Sequence, residues 1–149
     1  MLVHLINSEL NAIIDESDFE LLSKYRWRLN NKGYAISSVT DERMHRLIML
    51  PAPNLQIDHI NHNKLDNRRI NLRICTSKEN SRNRVTGENN TSGFKGVCLE
   101  PRNKYKKWRA KIYYNTRAIH IGCFKTKEEA VKAYNDAAIK YFGDFAFLN

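Results

Sequence analysis

The apolar residues in the first half of the chain follow three patterns. Residues 15–27 carry them at helical spacing, which predicts a short amphipathic helix. Residues 33–40 alternate between apolar and polar as a half-buried strand does, and residues 43–50 form a second apolar run that ends at a proline-containing turn. The side chains available for burial in and after the predicted helix are Phe19, Leu22 and Trp27.

A strand, a polar connection, a second strand and a helix are predicted next. Residues 57–60 and 71–76 are the two strands. Thr76, with Glu79 three residues later, fits a capping box, in which each side chain bonds the backbone of the other residue at a helix start. This box places Asn80 in the first turn of the helix.

The second half of the chain predicts a small sheet backed by one helix. Residues 126–143 form a helix with its own capping box, Thr126 and Glu129, and with Gly143 as its stop. The alanine-rich stripe of this helix allows it to lie close on a sheet. The three strand candidates are residues 94–100, 107–115 and 117–124. The fold class is therefore predicted to be α+β, with a three-stranded antiparallel sheet packed on one helix.

A run rich in Gly, Asn, Ser and Thr interrupts the apolar periodicity at residues 85–93. We expect a boundary here, with a first domain over residues 1–85, a linker over 86–92 and a second domain over 93–149.

The charge of the chain indicates a polyanionic partner. Its 149 residues hold 25 Lys and Arg against 16 Asp and Glu, a formal net charge of +9. Residues 1–85 contain 13 basic and 10 acidic side chains, and residues 86–149 contain 12 and 6. Because no apolar run is as long as a membrane span, and the N-terminus lacks the pattern of a signal peptide, we expect nucleic acid rather than a membrane.

The cysteines are three in number, widely spaced and form no CxxC pair. Neither a disulfide framework nor a structural zinc site is expected from such a set. We expect an intracellular, cytoplasmic protein with reduced thiols that serve mainly as small core residues. They are Cys75, Cys98 and Cys123.

The first predicted strand carries residue types that suit phosphodiester hydrolysis. A neutral imidazole such as His59 can accept a proton from water near pH 7. Asp58, and Asn80 on the following helix, offer the oxygen ligands that Mg²⁺ or Mn²⁺ prefers. Adjacent strand residues point to opposite faces, so either Asp58 and His59 face different sides, or a twist at the strand end brings both to one cleft.

The motif "DHIN-x-NKLDNRRINLRICT-x-x-EN-x-RN" resembles the HNH endonucleases, or ββα-metal nucleases, in their phage and intron homing form. The resemblance implies that His59 is the general base, that Asp58 and Asn80 bind the metal, and that Asn71 braces the loop that orients the histidine. The last signature position is Asn, a variation known in the homing branch. His62 stands where that branch usually has glycine, and it stiffens the turn and adds a second imidazole near the base.

Residues 43–50 include an "HRLI" segment, which the same resemblance implies is a strand. We favour a structural role for His45 within it, with a contact to the DNA backbone as the next alternative.

Arginines surround this motif, and their guanidinium groups suit phosphate. As a group they predict a footprint on the DNA backbone, whereas each one alone could equally belong to a solvated basic face. They are Arg68, Arg69, Arg73, Arg82 and Arg84.

Residues 92–149 resemble the DNA-binding domain of plant ethylene-response factors. The matching segments are "SGFKGV", "KW-x-A-x-I", "IG-x-F" and "EEA-x-x-AY-x-x-AA". The resemblance implies a three-stranded sheet presented to the major groove, with the helix behind it. Lys95 stands where the plant domains carry arginine, Cys98 and Glu100 stand where they carry further arginines, and His120 stands where they carry tryptophan. The base preference of the plant domains is therefore not transferred.

Strand alternation gives the same geometry from the residues themselves. Ala110, Ile112, Ile119 and Ile121 can face the helix, which leaves the alternate positions for the other face. The predicted DNA-binding residues of this domain are Lys95, Arg109, Lys111, Tyr113 and His120.

These features predict a DNA endonuclease of the homing type, acting on double-stranded DNA as a monomer or a homodimer. One alternative is a DNA-binding regulator that does not cut, although the intact set of Asp58, His59, Asn71 and Asn80 argues against a decayed site. Another is RNA binding, since Trp108 and neighbouring tyrosines could stack bases.

Overall fold

The computed structural model describes residues 1–83, 90–105 and 107–149. The chain forms two compact units, Met1–Asn80 and Ser81–Asn149. Helices and small antiparallel sheets occur in both, so the predicted mixed α+β class is confirmed. Within the described residues, no helix is long and apolar enough to cross a membrane.

The first unit begins with two short antiparallel hairpins. Strand β1 pairs with β2, and β3 pairs with β4. A single 3₁₀ turn leads into α1 between the two hairpins. The elements are β1 (Leu2–His4), β2 (Asn11–Ile13), α1 (Phe19–Leu22), β3 (Trp27–Leu29) and β4 (Ala35–Ser37).

The predicted short helix is present, but one of its three expected core residues is not buried. Leu22 and Trp27 are 1% and 2% exposed, whereas Phe19 is 45% exposed. The helical part before Trp27 is only one turn long, so it presents a single apolar position to the core. The indole of Trp27 also donates a hydrogen bond to the carbonyl of Leu22 at 3.0 Å, which fixes this turn.

The "HRLI" segment was expected as a strand, and this prediction is wrong. Residues Met44–Met49 form helix α2. Its buried side chains are Met44, His45 and Ile48, and the spacing of four between Met44 and Ile48 places them on one helical face. The helix ends where Leu50 adopts a left-handed φ of 43° and a proline follows.

The predicted strand–strand–helix segment is present. Strands β5 (Gln56–His59) and β6 (Leu72–Cys75) pair antiparallel, and helix α3 (Ser77–Arg82) follows. The predicted capping box starts the helix: the Glu79 backbone N–H donates to Thr76 Oγ1 at 3.2 Å, and the Thr76 N–H donates to the Glu79 carboxylate at 2.8 Å. This hairpin closes the core of the first unit, which contains Leu5, Ala12, Ile14, Leu22, Trp27, Ala35, Met44, Ile48, Ile57 and Leu72.

The second unit contains a three-stranded antiparallel sheet in the order β7-β8-β9 and one long helix. Helix α4 packs on the sheet through Ala130, Tyr134 and Ala138, and both halves of its predicted capping box are present. The elements are β7 (Val97–Leu99), β8 (Trp108–Tyr114), β9 (Arg117–Phe124) and α4 (Lys127–Phe142). Ala110 and Ile112 are buried against α4 as strand alternation predicts.

Gly96 allows the sheet to approach α4 closely. Its φ is 72°, and a Cβ built there would overlap both the ring of Tyr134 and the backbone carbonyl oxygen of Lys111. Only glycine provides both the left-handed backbone and the missing volume at this position.

Candidate active site

The Asp58 carboxylate lies on one face of the β5–β6 hairpin, opposite Arg73 on the neighbouring strand. The Nε and a terminal nitrogen of Arg73 donate to Asp58 Oδ2 at 2.9 and 2.6 Å, and both side chains are largely buried. Gln56 lies two residues before Asp58 and therefore shares its face. Since Asn80 Nδ2 donates to Gln56 Oε1 at 2.8 Å, helix α3 and Asn80 belong to this same face.

Cys75 pairs with Gln56 across the hairpin and lies beside this group. Burial and the charge of Asp58 raise the pKa of its thiol to about 11. It is therefore a neutral core thiol, as the sequence predicts, and not a thiolate ligand.

His59 points to the opposite face from Asp58, which is the first of the two arrangements left open by strand alternation. Its ring packs edge-on against His45 at 5.0 Å between centroids and lies 5.9 Å from the ring of Tyr34. Burial lowers the pKa of His59 below its usual 6.5, although the hydrogen bond to Asn67 and the charges of Asp58 and Asp66 oppose this shift. His59 is accordingly a neutral imidazole at pH 7, as a general base requires.

Asn67 holds the other side of the His59 ring, and sequence reasoning missed it. Its Oδ1 lies 3.4 Å from His59 Nε2, and its Nδ2 donates to the Leu65 carbonyl at 3.1 Å. Strand β2 anchors this residue, because the Asn67 N–H donates to the Ile13 carbonyl and the Ile13 N–H donates to the Leu65 carbonyl, both at 2.7 Å. The N-terminal hairpin therefore helps to position the histidine, and its contact with the motif could not be inferred from either segment alone.

Asn71 lies inside the loop that joins the two strands. Its Oδ1 accepts from the Asn61 N–H at 3.0 Å, and its Nδ2 donates to the Asp66 carbonyl at 2.7 Å. These bonds bridge the two ends of the loop that follows His59. His62 lies at the tip of that loop with a φ of 64°, a left-handed conformation that glycine adopts without strain.

Three of the predicted DNA-binding arginines are ion-paired with aspartates in the first unit. Arg68 binds Asp66, Arg69 binds Asp18, and Arg73 binds Asp58, each with its shortest distance between 2.6 and 2.7 Å. The charge of each is offset locally, so these arginines are less suited to attract phosphate than their number suggests. Arg82 lies on α3, and Arg84 is outside the described residues.

Two further arginines flank His45 and line a polar cleft of about 370 Å³: Arg43, the residue before α2, and Arg46, within the helix. The cleft is also lined by Tyr34, His45 and Asn80, together with Pro53, Asn54, Leu55, Gln56 and Ile57. Sequence reasoning missed both arginines because it assigned this segment to a strand, where positions 43 and 46 would face opposite sides. In the structure Arg43 precedes α2 in an extended conformation and Arg46 lies within the helix, and both reach the same cleft.

The sheet of the second unit carries the remaining predicted residues, except Lys95, on its face away from α4. Arg109 pairs with Glu100 at 2.6 Å, Lys111 lies opposite His120 in the register, and Tyr113 and His120 are exposed. Lys95 differs, because its Nζ donates to the Arg82 carbonyl at 2.5 Å and lies over the ring of Phe147. These contacts within the protein hold the Lys95 ammonium and make it less suited to bind DNA.

A comparison with protein families now identifies the first unit. A family model described as HNH endonuclease matches residues 43–82, which include α2, the hairpin and α3. An uncharacterized HNH endonuclease of Acanthamoeba polyphaga mimivirus is 34% identical over 146 residues, which covers 93% of this chain and 74% of that protein. The chain belongs to the HNH endonuclease family. It is a nuclease, and the family implies DNA as its substrate.

This HNH endonuclease also matches two other proteins over shorter segments. An AP2/ERF and B3 domain-containing transcription factor of Arabidopsis thaliana is 45% identical over 51 residues, 34% of this chain and 14% of that protein. Protein 3.8 of Escherichia phage T7 is 43% identical over 56 residues, 38% of this chain and 45% of that protein. No solved structure matches. These partial matches do not establish an ethylene-response-factor domain, which stays a prediction.

HNH nucleases generally use a divalent metal ion. In the described part of this endonuclease, no three His, Cys, Asp or Glu side chains cluster as metal ligands. The expected set consists instead of one carboxylate, Asp58, and one amide, Asn80, on the same face of the hairpin. This donor set fits Mg²⁺ or Mn²⁺, which bind few protein oxygens and keep several waters.

Proposed function

We propose that this HNH endonuclease is a metal-dependent enzyme of the homing type that hydrolyses phosphodiester bonds in double-stranded DNA. In this proposal His59 is the general base, Asp58 and Asn80 bind the metal, and Asn71 braces the loop behind the histidine. The observation that carries the proposal is the buried, neutral His59, held between His45 and Asn67 at the end of the strand that also bears Asp58.

The hydrogen bonds around His59 indicate which nitrogen accepts the proton. Since Asn67 Nδ2 already donates to Leu65, its Oδ1 faces the histidine and accepts from Nε2–H. Nδ1 then carries the lone pair and takes a proton from the attacking water. When the ring becomes charged, the same bond to Asn67 and the charges of Asp58 and Asp66 stabilise it.

Asp58 and Asn80 are the residues that would hold Mg²⁺ or Mn²⁺. When bound there, the cation would offset negative charge on the phosphate and on the leaving oxygen. Arg73 holds the Asp58 carboxylate in place from the neighbouring strand. The Asn80 amide is oriented by its bond to Gln56, with Nδ2 as the donor.

The second unit would direct the enzyme to its target. We place the nuclease domain at residues 1–85, a linker at 86–92 and a DNA-binding domain of the ethylene-response-factor type at 93–149. The sheet face with Lys111 and the exposed His120 supports this role, since α4 covers the other side; Arg109 lies on the same face but is paired with Glu100. The enzyme would act in the cytoplasm of its host, as a monomer or a homodimer.

The test is the conversion of supercoiled plasmid to nicked or linear DNA with Mg²⁺ or Mn²⁺, with EDTA as the blank. We expect cleavage that needs the metal and that falls at least about 100-fold in His59→Ala, as for loss of a general base. His4→Ala, which alters an exposed histidine of β1, is the matched control and should cut normally. Tight DNA binding without cleavage under any divalent metal would contradict the proposal and favour the alternative, a DNA-binding regulator that does not cut.

A further inference from the structure

The cleft beside His45 is the polar cavity of the first unit that borders the proposed active site. Helix α2 supplies His45 and Arg46 to its wall, Arg43 lines it from the residue before the helix, and Asn80 lines it from α3. The ring of His45 in turn packs against that of His59 at 5.0 Å. A group held in this cleft therefore lies beside a proposed metal ligand, Asn80, and beside the His45 ring that packs on the proposed base.

The charge of the cleft is positive. Two arginines line it, and none of its described lining residues is Asp or Glu. Within the described residues, no carboxylate lies within 4.0 Å of the Arg43 side chain, and the guanidinium of Arg43 lies over the ring of Tyr34 at 5.2 Å. Arg46 meets Glu42 only at 4.0 Å, and one of its terminal nitrogens donates to the Leu55 carbonyl at 3.3 Å.

This pair contrasts with Arg68, Arg69 and Arg73, which each bind an aspartate at 2.7 Å or less. An arginine whose charge is not already offset attracts phosphate more strongly than one in a short ion pair. The low pKa of His45, about 3, is consistent with this, because Arg43 and Arg46 add to the effects of burial and His59 in disfavouring its charged form. The positive field in this part of the unit is therefore concentrated at the cleft.

We propose that Arg43 and Arg46 bind a phosphate of the DNA strand that is cut, and that this cleft, rather than the row of arginines after His59, holds the substrate backbone beside the active site. This inference rests on the proposed function of the same site. The volume of about 370 Å³ is at the small end of ligand cavities and suits a single sugar-phosphate unit, not a duplex.

The experiment compares the full-length enzyme with Arg43→Gln, Arg46→Gln and the double variant. Arg26→Gln is the matched control, since it removes the same charge from an exposed residue that does not line the cleft. Binding to a labelled 20-base-pair duplex with Ca²⁺ is followed by fluorescence anisotropy over a range of salt. Each cleft substitution should lower the slope of log K against log salt by about 1, and the double variant by about 2, while the control leaves it unchanged.

Plasmid nicking by saturating enzyme gives the second readout. The double variant should nick at least about tenfold more slowly than wild type, and Arg26→Gln should nick normally. Arg43→Lys and Arg46→Lys retain the charge and should recover the salt slope, which also separates loss of phosphate contact from misfolding. Unchanged slopes and rates in the double variant would overturn the inference. If wild type cuts no DNA under any divalent metal, the proposed function fails, and the salt slopes still decide whether the cleft binds phosphate.

Discussion

At the scale of single residues, the sequence motif identified the groups of the candidate site but not their neighbours. Asp58, His59, Asn71 and Asn80 follow from their order in the chain. His45 and Asn67, which contact the histidine ring, could not be found in this way. His45 comes from a segment assigned to the wrong element, and Asn67 stood in a polar stretch that resembles any solvated turn. Contacts between side chains depend on tertiary packing, which spacing within one segment does not determine.

The bond between Asn67 and His59 predicts how the rate of cleavage depends on pH. Because the pKa of His59 lies below 6.5, the rate should be constant above pH 7 and fall only when the pH drops through this lowered pKa. Asn67→Asp places a negative charge beside Nε2 and should raise this pKa, so the fall should occur at a higher pH. Nicking rates from pH 5 to 8 measure the shift. Asn63→Asp, an exposed change on the same loop, is the control, and an identical profile for both variants would contradict the assignment.

His45 predicts a loss of stability in mildly acidic solution. Its pKa is about 3 in the folded unit and 6.5 when unfolded, so the unfolded chain binds a proton that the folded unit excludes. Stability is therefore lost as the pH falls below 6.5, by about 2 kcal/mol between pH 7 and pH 5. His59, whose pKa is also lowered by burial, adds a loss of the same sign.

Urea unfolding of a Trp108→Phe protein, in which the buried Trp27 reports on the first unit, measures this loss. His45→Gln should remove most of it, since glutamine does not titrate. A variant that loses as much stability between pH 7 and pH 5 as its parent would show that His45 is not the group responsible.

At the scale of elements, the sequence predicted those with a local signal and missed others, namely β1, β2, β3 and helix α2. The capping boxes at Thr76 and Thr126 set the starts of α3 and α4, and both are present as hydrogen bonds. Helix α2 has no such signal: the residue before it makes no side-chain cap, and its six residues, interrupted by His45 and Arg46, are too few to show a helical or a strand period. Its helical state comes from burial of Met44, His45 and Ile48 against the rest of the unit.

Gly96 allows a test of how closely β7 approaches α4. Gly96→Ala must accommodate both a left-handed φ and a Cβ that overlaps Tyr134. Gly93→Ala is the matched control, since Gly93 also has a positive φ, of 78°, but nothing lies within 4 Å of its would-be Cβ. Gly93→Ala should lower the free energy of unfolding by about 1–2 kcal/mol, from backbone strain alone. Gly96→Ala should cost a further 1–3 kcal/mol or so from overpacking, measured by urea unfolding of the second unit. Equal losses of unfolding free energy in the two variants would show that the Tyr134 ring moves aside without a cost in stability.

At the scale of the whole molecule, the net charge of +9 does not show where DNA is bound, because local ion pairs redistribute it. Three arginines of the motif are bound to buried aspartates, and Arg109 of the sheet face is bound to Glu100. Within the described residues, Arg43 of the cleft and Lys111 of the sheet face form no such ion pair. Composition counts the charges of a chain, but only the folded contacts show which of them are offset. Under the proposed function, catalysis and targeting therefore fall to different residues.

Lys111 provides the test of that division. It lies on the sheet face away from α4, opposite His120, and it has no part in the proposed proton transfer by His59. Lys111→Gln should weaken duplex binding and lower the salt slope by about 1, yet leave the nicking rate at saturating enzyme unchanged. Lys140→Gln, on the helix behind the sheet, removes the same charge and should change neither quantity. If Lys111→Gln slowed nicking at saturation as the Arg43 and Arg46 substitutions are expected to do, the sheet face would have to take part in cutting, and targeting could not be assigned to it alone.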